Sequence, residues 1–170
     1  MPQQSTDSST AAVEKVRRED LVEAFLAASR ALVGVAARSL ANLGEDVTLA
    51  QYRVLIELAS RGPQRITDLA EALGVDSSTA TRMCDRLVRK GLIQRRRVST
   101  DRRSVRVSLT TSGRDLVRHV SKRRRIEIAK ILQRLPRSDL AAVLEALQGF
   151  AEAAGEVPEQ DWSLGWGVER

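Results

Sequence analysis

Residues 66–91, ITDLAEALGVDSSTATRMCDRLVRKG, decide the fold class of the chain. Their apolar spacing predicts a short helix over 67–73 and a second over 77–90, with a turn at Gly74 and a stop at Gly91. Two short helices joined by a glycine turn are typical of a helix-turn-helix. The same arrangement also occurs in helical proteins that bind no DNA, so the surface of the second helix has to distinguish the two.

The second helix has two distinct faces. Thr67 and Asp76 stand where N-capping side chains are preferred, which fixes the start of each helix. The packed face is predicted to carry Ala80, Met83, Cys84 and Leu87. The opposite face carries hydroxyl groups and guanidinium groups, which can bond bases and phosphates, and the first turn exposes N–H groups that attract phosphate. An ordinary solvated face is the alternative. The residues predicted to contact DNA are Ser77, Ser78, Thr79, Thr81, Arg82 and Arg86.

A basic hairpin follows directly. Residues 92–97 suit a strand, and residues 105–109 alternate with a period of two, with the polar loop VSTDRRS between them. A projection of this kind beside a recognition helix is a wing, and its arginines can enter the minor groove. We predict that Arg102 and Arg103 bind DNA and that Asp101 orients Arg103 through a charge-assisted bond. A flexible charged turn is the alternative.

The rest of the chain is predicted to be helical. An apolar stripe runs through 21–35, and residues 42–44 end that helix. Thr48 and Gln51 form a capping box, and Val47 and Tyr52 occupy the two positions of a hydrophobic staple.

The C-terminal part is predicted to contain two more helices. Thr110 or Thr111 caps the first, which carries apolar residues as far as Leu135. Pro136 starts the second, whose apolar stripe covers 140–150. Exposed apolar stripes on this scale favour a homodimer. Trp162 and Trp166 either pack on the partner subunit or belong to a disordered tail.

The fold class is therefore mainly α with a small β-wing: a winged helix-turn-helix plus a helical dimerisation region. The predicted division is a disordered arm (1–12), an N-terminal dimerisation helix (13–46), a DNA-binding domain (47–110), C-terminal dimerisation helices (111–155) and a tail (156–170).

The central run resembles the MarR family of bacterial regulators. The matching pieces are Leu69-Ala70, Ser78-Thr79, Asp85-Arg86-Leu87, Lys90-Gly91-Leu92, Asp101-Arg102-Arg103, Leu109-Thr110 and Gly113, and the likeness extends over about residues 18–152. It implies a triangular homodimer that represses transcription at a roughly palindromic site in double-stranded DNA. It also implies a small-molecule effector bound between the two parts of the subunit. Residues suggested for its lining are Arg38, Tyr52 and Arg53.

Composition and charge limit the kinds of partner and the cellular location that the chain can have. The formal charge is +6, and arginine clusters at 95–103 and 122–125, as expected for a polyanion partner. The 122–125 run either touches DNA or an anionic ligand, or is a solvated face paired with Glu127. No stretch is long and apolar enough to span a membrane, and no leader is evident, so a cytoplasmic protein is predicted.

One histidine and one cysteine supply too few groups for a soft metal site or for thiol or acid–base catalysis, so no enzyme, metal or cofactor is predicted. His119 is interpreted as a surface residue. Cys84 is interpreted as a small buried hydrophobe. Two alternatives remain: a winged-helix protein-interaction module, and a thiol-sensing regulator that uses Cys84.

Overall fold

The computed structural model of the chain describes residues 17–41, 47–98 and 101–163, without the side chains of residues 97–104. The predicted arm, the predicted stop at 42–44 and Trp166 lie outside the described residues. The helices are α1 (Arg18–Ala41), α2 (Leu49–Arg61), α3 (Ile66–Leu73), α4 (Ser77–Arg89), α5 (Thr111–Leu132) and α6 (Leu140–Ala153). Strands β1 (Ile93–Val98) and β2 (Asp101–Leu109) form an antiparallel hairpin. Among the described residues, no helix combines the length and apolar character that a membrane span requires. The fold class is as predicted.

One aliphatic core unites α2, α3, α4, the hairpin and the first half of α5. Apolar residues recur every three to four positions on these helices, so each presents one face to the shared interior. The largest fully buried side chains of this core are Val54, Leu55, Leu69, Leu87, Leu92, Ile93, Val107, Val117 and Val120. This core holds α4 against α2 and α3 and leaves its opposite side free.

Side-chain hydrogen bonds cap the N-termini of several of these helices. The Thr48 hydroxyl accepts from the Gln51 N–H at 3.2 Å, and the Gln51 side chain accepts from the Thr48 N–H at the same distance, so the predicted capping box is confirmed. Val47 and Tyr52 are both buried in the core, as the staple requires. At α5, Thr110 is the cap, and its hydroxyl accepts from the N–H of Gly113.

The predicted cap at Thr67 is wrong. Helix α3 begins one residue earlier, after Arg65, because the Asp68 carboxylate accepts from the Arg65 N–H at 3.2 Å. The Thr67 hydroxyl lies inside the first turn and donates to Asp68. A carboxylate at the third helical position thus supplies the bond that the hydroxyl was expected to make.

Three other predicted boundaries are corrected. The hairpin loop was expected over 98–104, but the strands extend to Val98 and from Asp101, with an irregularity between Arg97 and Val98. Helix α5 ends at Leu132 and not at Leu135. Proline disfavours α geometry in the residue before it, so the turn preceding Pro136 leaves the helix. Pro136 itself precedes a short 3₁₀ turn, Arg137–Asp139, and not the first turn of α6.

The start of α5 packs closely against the segment that follows α4. The Thr110 hydroxyl donates to the carbonyl of Gly91 at 2.6 Å, and the Thr110 N–H donates to the carbonyl of Leu92 at 3.1 Å. A Cβ added at Gly113 would lie 2.0 Å from the Leu92 carbonyl oxygen. Only glycine fits at this position while the two segments keep this distance.

Gly113→Ala is therefore expected to destabilise the fold. Relief of a clash with backbone requires α5 to move away, and overpacking of this kind costs about 1–3 kcal/mol. The measurement is the free energy of unfolding in urea. Gly149→Ala is the matched control, because a Cβ at this helical glycine meets nothing within 4 Å. The control should be neutral or stabilising. Equal stability of both variants would contradict the close packing at Gly113.

The long helices carry apolar surface that the single chain does not cover. Only the last part of α1 is buried, and Phe25 stacks on Phe150 with ring centroids 4.4 Å apart. The large apolar side chains left exposed on α1, on the end of α5 and on α6 include Leu21, Val22, Leu26, Leu32, Val33, Ile126, Ile131, Leu140, Leu144 and Leu147.

Candidate nucleic-acid interface

Asp76 organises the beginning of α4. Its carboxylate accepts from the Thr79 N–H at 2.8 Å, from the Ser78 hydroxyl at 2.6 Å and from the Thr79 hydroxyl at 2.7 Å. The predicted cap is confirmed. The hydroxyls of Ser78 and Thr79 and the N–H of Thr79 hold the pKa of Asp76 well below its ordinary range. Since both hydroxyl protons point at Asp76, the oxygens of Ser78 and Thr79 are left to act as acceptors.

The arginines of α4 extend from this turn. Arg82 donates to the hydroxyl oxygens of Thr79 at 3.2 Å and Ser78 at 3.4 Å, so its guanidinium lies along the first turn of the helix. Arg86 and Arg89 are exposed, and neither has an ion pair within the described part of the chain. The structure therefore brings the predicted α4 residues together on one cationic surface.

The remaining predicted α4 residues lie one turn apart at the start of the helix. Ser77 is exposed, and its carbonyl accepts from the Thr81 hydroxyl at 2.7 Å. Thr81 is half-buried. This bond directs the Thr81 hydroxyl toward its own helix, so its methyl group is the part left to face a ligand.

An ion pair between α4 and the wing was not predicted from the sequence. Arg95 on β1 donates to Asp85 on α4 at 2.6 Å. The pair joins residues ten positions apart across a chain reversal, so no helical or strand periodicity signals it. It keeps Asp85 from repelling phosphate and fixes the base of the wing beside the recognition helix.

The wing presents two arginines directly opposite each other. Arg96 on β1 pairs in register with Arg106 on β2, and both are exposed. Like charges in this cross-strand position repel, and a bound polyanion removes that penalty. Arg102, Arg103 and Asp101 belong to β2, but their side chains lie outside the described residues, so the predicted orientation of Arg103 stays a prediction.

Cys84 lies on the packed face of α4 and is fully buried. Burial raises the pKa of its thiol to about 11, with a smaller opposing influence from the positive charge of Arg95. The thiolate is the reactive form of cysteine. The interpretation of Cys84 as a buried hydrophobe agrees with this placement, and a thiol switch here would first require the core to open.

Peroxide is therefore expected to leave DNA binding unchanged. The parent protein and Cys84→Ser should lose no operator affinity after treatment, as measured by gel shift. A loss confined to the parent and reversed by reductant would make Cys84 a switch.

The pKa of the Cys84 thiol in the folded protein lies above its ordinary value of 9.0. The thiol's contribution to stability is thus full below that pH and is lost as pH rises through about 11.

The three residues suggested for an effector site do not share one cavity. Arg38 pairs with Glu127 at 2.8 Å, and Arg53 pairs with Glu156 at 2.5 Å. Glu127 thus pairs with α1, and not with the 122–125 run. The Tyr52 hydroxyl is buried beside Ser121 and Arg124 but makes no hydrogen bond of standard geometry. Burial raises the pKa of this hydroxyl, so it remains a donor.

A cavity of about 370 Å³ adjoins this point. Its walls combine an apolar side with two guanidinium groups and a carboxylate. Arg125 is paired with Glu159 at 2.6 Å, whereas the buried Nε of Arg124 has no hydrogen-bond partner in the described structure. The lining residues are Ser121, Arg124, Arg125, Ile128, Ala129, Leu132, Glu159 and Trp162. Trp162 packs against the core of its own chain, which the sequence did not predict.

The described residues hold no group of three or more histidine, cysteine or carboxylate side chains that could bind a metal. His119 is exposed on α5, and its Nδ1 lies 3.0 Å from the carbonyl of Asp115. The basic surface of α4 and the wing therefore remains the candidate binding site.

Known proteins resemble this chain over most of its length. The sequence model of the MarR family matches residues 47–105. The transcriptional repressor MdtR of Bacillus subtilis is 32% identical over 72% of this chain and 79% of its own length. The multiple antibiotic resistance protein MarR of Salmonella typhimurium is 33% identical over 60% of this chain and 71% of its own. The crystal structure of RV1404 from Mycobacterium tuberculosis superimposes with a TM-score of 0.77 at 40% identity, covering 84% of this chain and 98% of that one.

Proposed function

The chain belongs to the MarR family of DNA-binding transcriptional regulators, and from this premise we propose that it is a homodimeric repressor released from its operator by a small molecule. The observation that carries the proposal is the surface of α4. It combines hydroxyl groups held by Asp76 and the exposed Arg86 and Arg89, which have no ion pair in the described residues, with an opposite side on which Ala80, Cys84 and Leu87 are fully buried. We place the protein in the cytoplasm, where it has access to chromosomal DNA.

The DNA contacts we propose divide between two grooves. Residues of α4 enter the major groove, where Arg82 and Arg86 read guanine and the oxygens of Ser78 and Thr79 accept from base amino groups. Ser77 and Thr81 contact the adjacent backbone. Arg102 and Arg103 at the wing enter the minor groove, with Asp101 orienting Arg103.

The dimer we propose uses the long helices. The apolar side chains exposed on α1, α5 and α6 would be covered by the same surface of a second copy, as a two-fold interface requires. Residues 13–46 and 111–155 form this dimerisation region, and 47–110 form the DNA-binding domain between them. Each dimer then presents two copies of α4 to the duplex.

Fluorescence anisotropy with DNA from beside the protein's own gene tests the function. A two-fold site with half-sites about one helical turn apart is expected to bind the dimer. Affinity should fall steeply with salt for every duplex, because phosphate contacts release counterions. Specific binding should exceed binding to a scrambled duplex of equal length by about a thousandfold or more. Equal binding to both duplexes would reject sequence-specific repression.

The effector we propose is a small aromatic carboxylate in the cavity beside Tyr52. A volume of about 370 Å³ is at the lower end of ligand sites. Ile128, Leu132 and Trp162 offer apolar contact. Arg124 lines the cavity and its buried Nε is an unpartnered donor, while the buried Tyr52 hydroxyl lies beside Arg124 and not in the cavity wall. Glu159 Oε1 is an unpartnered acceptor in the same wall, and buried polar atoms of this kind call for a partner. Arg38 and Arg53 do not line this cavity and are held instead by Glu127 and Glu156.

Benzoate and its neutral isostere benzamide separate charge from shape in this site. Benzoate is expected to release the protein from its operator at lower concentration than benzamide. Arg124→Gln should abolish the difference without changing operator affinity in the absence of ligand. If benzoate and benzamide act alike on the parent protein, the guanidinium plays no part in recognition.

A further inference from the structure

After α6 the chain reverses and lies back over the DNA-binding domain. Gly155 adopts a φ of 71°, and the N–H groups of Gly155 and Glu156 donate to Glu152 and Ala151, which closes the helix and sets the direction of exit. We call the following segment, Gly155–Ser163, the strap. It joins the end of the dimerisation region to α2 and α5 through space.

The strap is held to α2 at three points. Arg53 pairs with Glu156 at 2.5 Å, and Arg61 donates to the Gly155 carbonyl at 2.8 Å. At the other end, the N–H and hydroxyl of Ser163 both donate to the carbonyl of Ser60, at 3.3 Å and 3.1 Å. Both ends of the strap are therefore bonded near the last turn of α2, and Glu156 reaches back to Arg53 closer to the start of that helix.

A second set of contacts fixes the middle of the strap. Arg125 on α5 donates to Glu159 at 2.6 Å. Trp162 is half-buried against the core, and its indole N–H donates to the Val157 carbonyl at 2.9 Å within the strap. This bond folds the segment on itself, so that the tryptophan points inward while the backbone crosses the surface.

The contacts that hold the strap are numerous but individually weak. The side chains of Arg53 and Glu156 are 45% and 44% exposed, and that of Arg125 is 69% exposed. Solvent-exposed ion pairs contribute little to stability. Cavities of about 370 Å³ lie on both sides, one bordered by Ser163 and the other by Glu159 and Trp162. Release of the strap thus requires the exposed ion pairs to open and Trp162 to leave its contact with the core.

We propose that the strap is a reversible brace that holds the DNA-binding domain at the orientation required by the operator. It connects the end of α6, in the dimerisation region, to α2, in the DNA-binding domain. When it is released, the domain samples more orientations, and apparent affinity falls in proportion to the competent fraction. The inference rests on the function as a DNA-binding regulator and adds a route for its control.

A double charge reversal tests the brace. Glu156→Lys with Glu159→Lys places cations against Arg53 and Arg125 and drives the strap off. The added positive charge alone would tighten DNA binding, whereas the brace predicts binding about tenfold weaker. The matched control is Glu145→Lys with Glu152→Lys, which adds the same charge to α6 at positions away from its apolar stripe.

Trp162 reports whether the strap is docked. The chain contains two tryptophans, so a Trp166→Phe background leaves Trp162 as the single emitter. The reversed variant is expected to show red-shifted emission, unchanged dimer mass and weaker operator binding, while the control keeps blue-shifted emission. Emission that stays blue in the reversed variant, or red-shifted emission with the affinity of the control, would overturn the proposal.

A charge-neutral variant provides an independent check. Trp162→Ala removes the inward anchor and should also weaken operator binding about tenfold. The slope of log affinity against log salt should stay that of the parent, because no phosphate contact is lost. A full-affinity Trp162→Ala protein would contradict the brace. If the parent itself shows no specific binding, the regulatory function fails instead, and the emission measurement still reports on strap docking.

Discussion

Replacing Leu144 with aspartate is expected to convert the dimer into a monomer and to lower operator affinity by about a hundredfold to ten-thousandfold. Leu144 is 58% exposed in the single chain and lies in the apolar stripe of α6. In the proposed dimer a carboxylate here would be buried without a partner, which is costly. A monomer binds only one half-site. It therefore loses the increase in affinity, by a factor of about 10²–10⁴, that comes from binding two linked half-sites at once. Light scattering and fluorescence anisotropy measure the two effects.

Glu145→Asp is the control for Leu144→Asp. It introduces the same residue one position further along α6, at an exposed site outside the apolar stripe. This variant should remain dimeric and bind the operator normally. A dimeric Leu144→Asp protein with normal binding would show that α6 lies outside the interface.

Arg86→Ala should lower operator affinity by about tenfold to a hundredfold. A bidentate pair with a base is worth about 1–3 kcal/mol of discrimination, and about 1.4 kcal/mol corresponds to a factor of ten. Arg86 is exposed and lacks an ion pair in the described structure, so its guanidinium is free to pair with a base. Binding to a scrambled duplex should change much less, and discrimination should relax at one position of each half-site.

Arg89→Ala is the matched comparison for this effect. Arg89 is an exposed arginine of the same helix, in its last turn. Arg86 and Arg89 both lie in the last turn. Arg89 is the one further from the N-terminal end of the recognition helix, where contacts to base edges concentrate, so its loss should weaken binding equally for all sequences. If Arg86→Ala also weakens all duplexes equally, Arg86 contacts phosphate and another residue reads the base.

Features that depend on neighbouring residues could be predicted from the sequence. The capping box of Thr48, the cap at Asp76 and the turn at Gly74 each involve groups within a few positions, so their spacing is visible in the chain. Burial of Cys84 followed from helical periodicity. The error at Thr67 arose because Asp68, the next residue, competes for the same role with a better acceptor.

Features that depend on chain reversal could not be predicted. The Asp85–Arg95 pair, the strap and the packing of Trp162 join elements whose relative placement no periodicity reveals. Strand pairing extended the hairpin into residues that look like loop, because ladder bonds form whatever the side chains are. The apolar stripes of α1, α5 and α6 predicted that these helices are covered by another surface. Which residues cover them depends on how two copies assemble, and a single sequence does not contain that information.

The contact between Thr110 and the segment after α4 has a mechanical consequence. Because the Thr110 hydroxyl is bonded to the Gly91 carbonyl and Gly113 leaves no gap, α5 and the end of α4 move together. With 22 residues, α5 is a lever arm about 33 Å long. A tilt of about 5° at its dimer end would carry the recognition helix sideways by about 3 Å. Half-sites on DNA lie about 34 Å apart. A small rotation in the dimer would therefore change the spacing of the two recognition helices so that they no longer fit two successive major grooves.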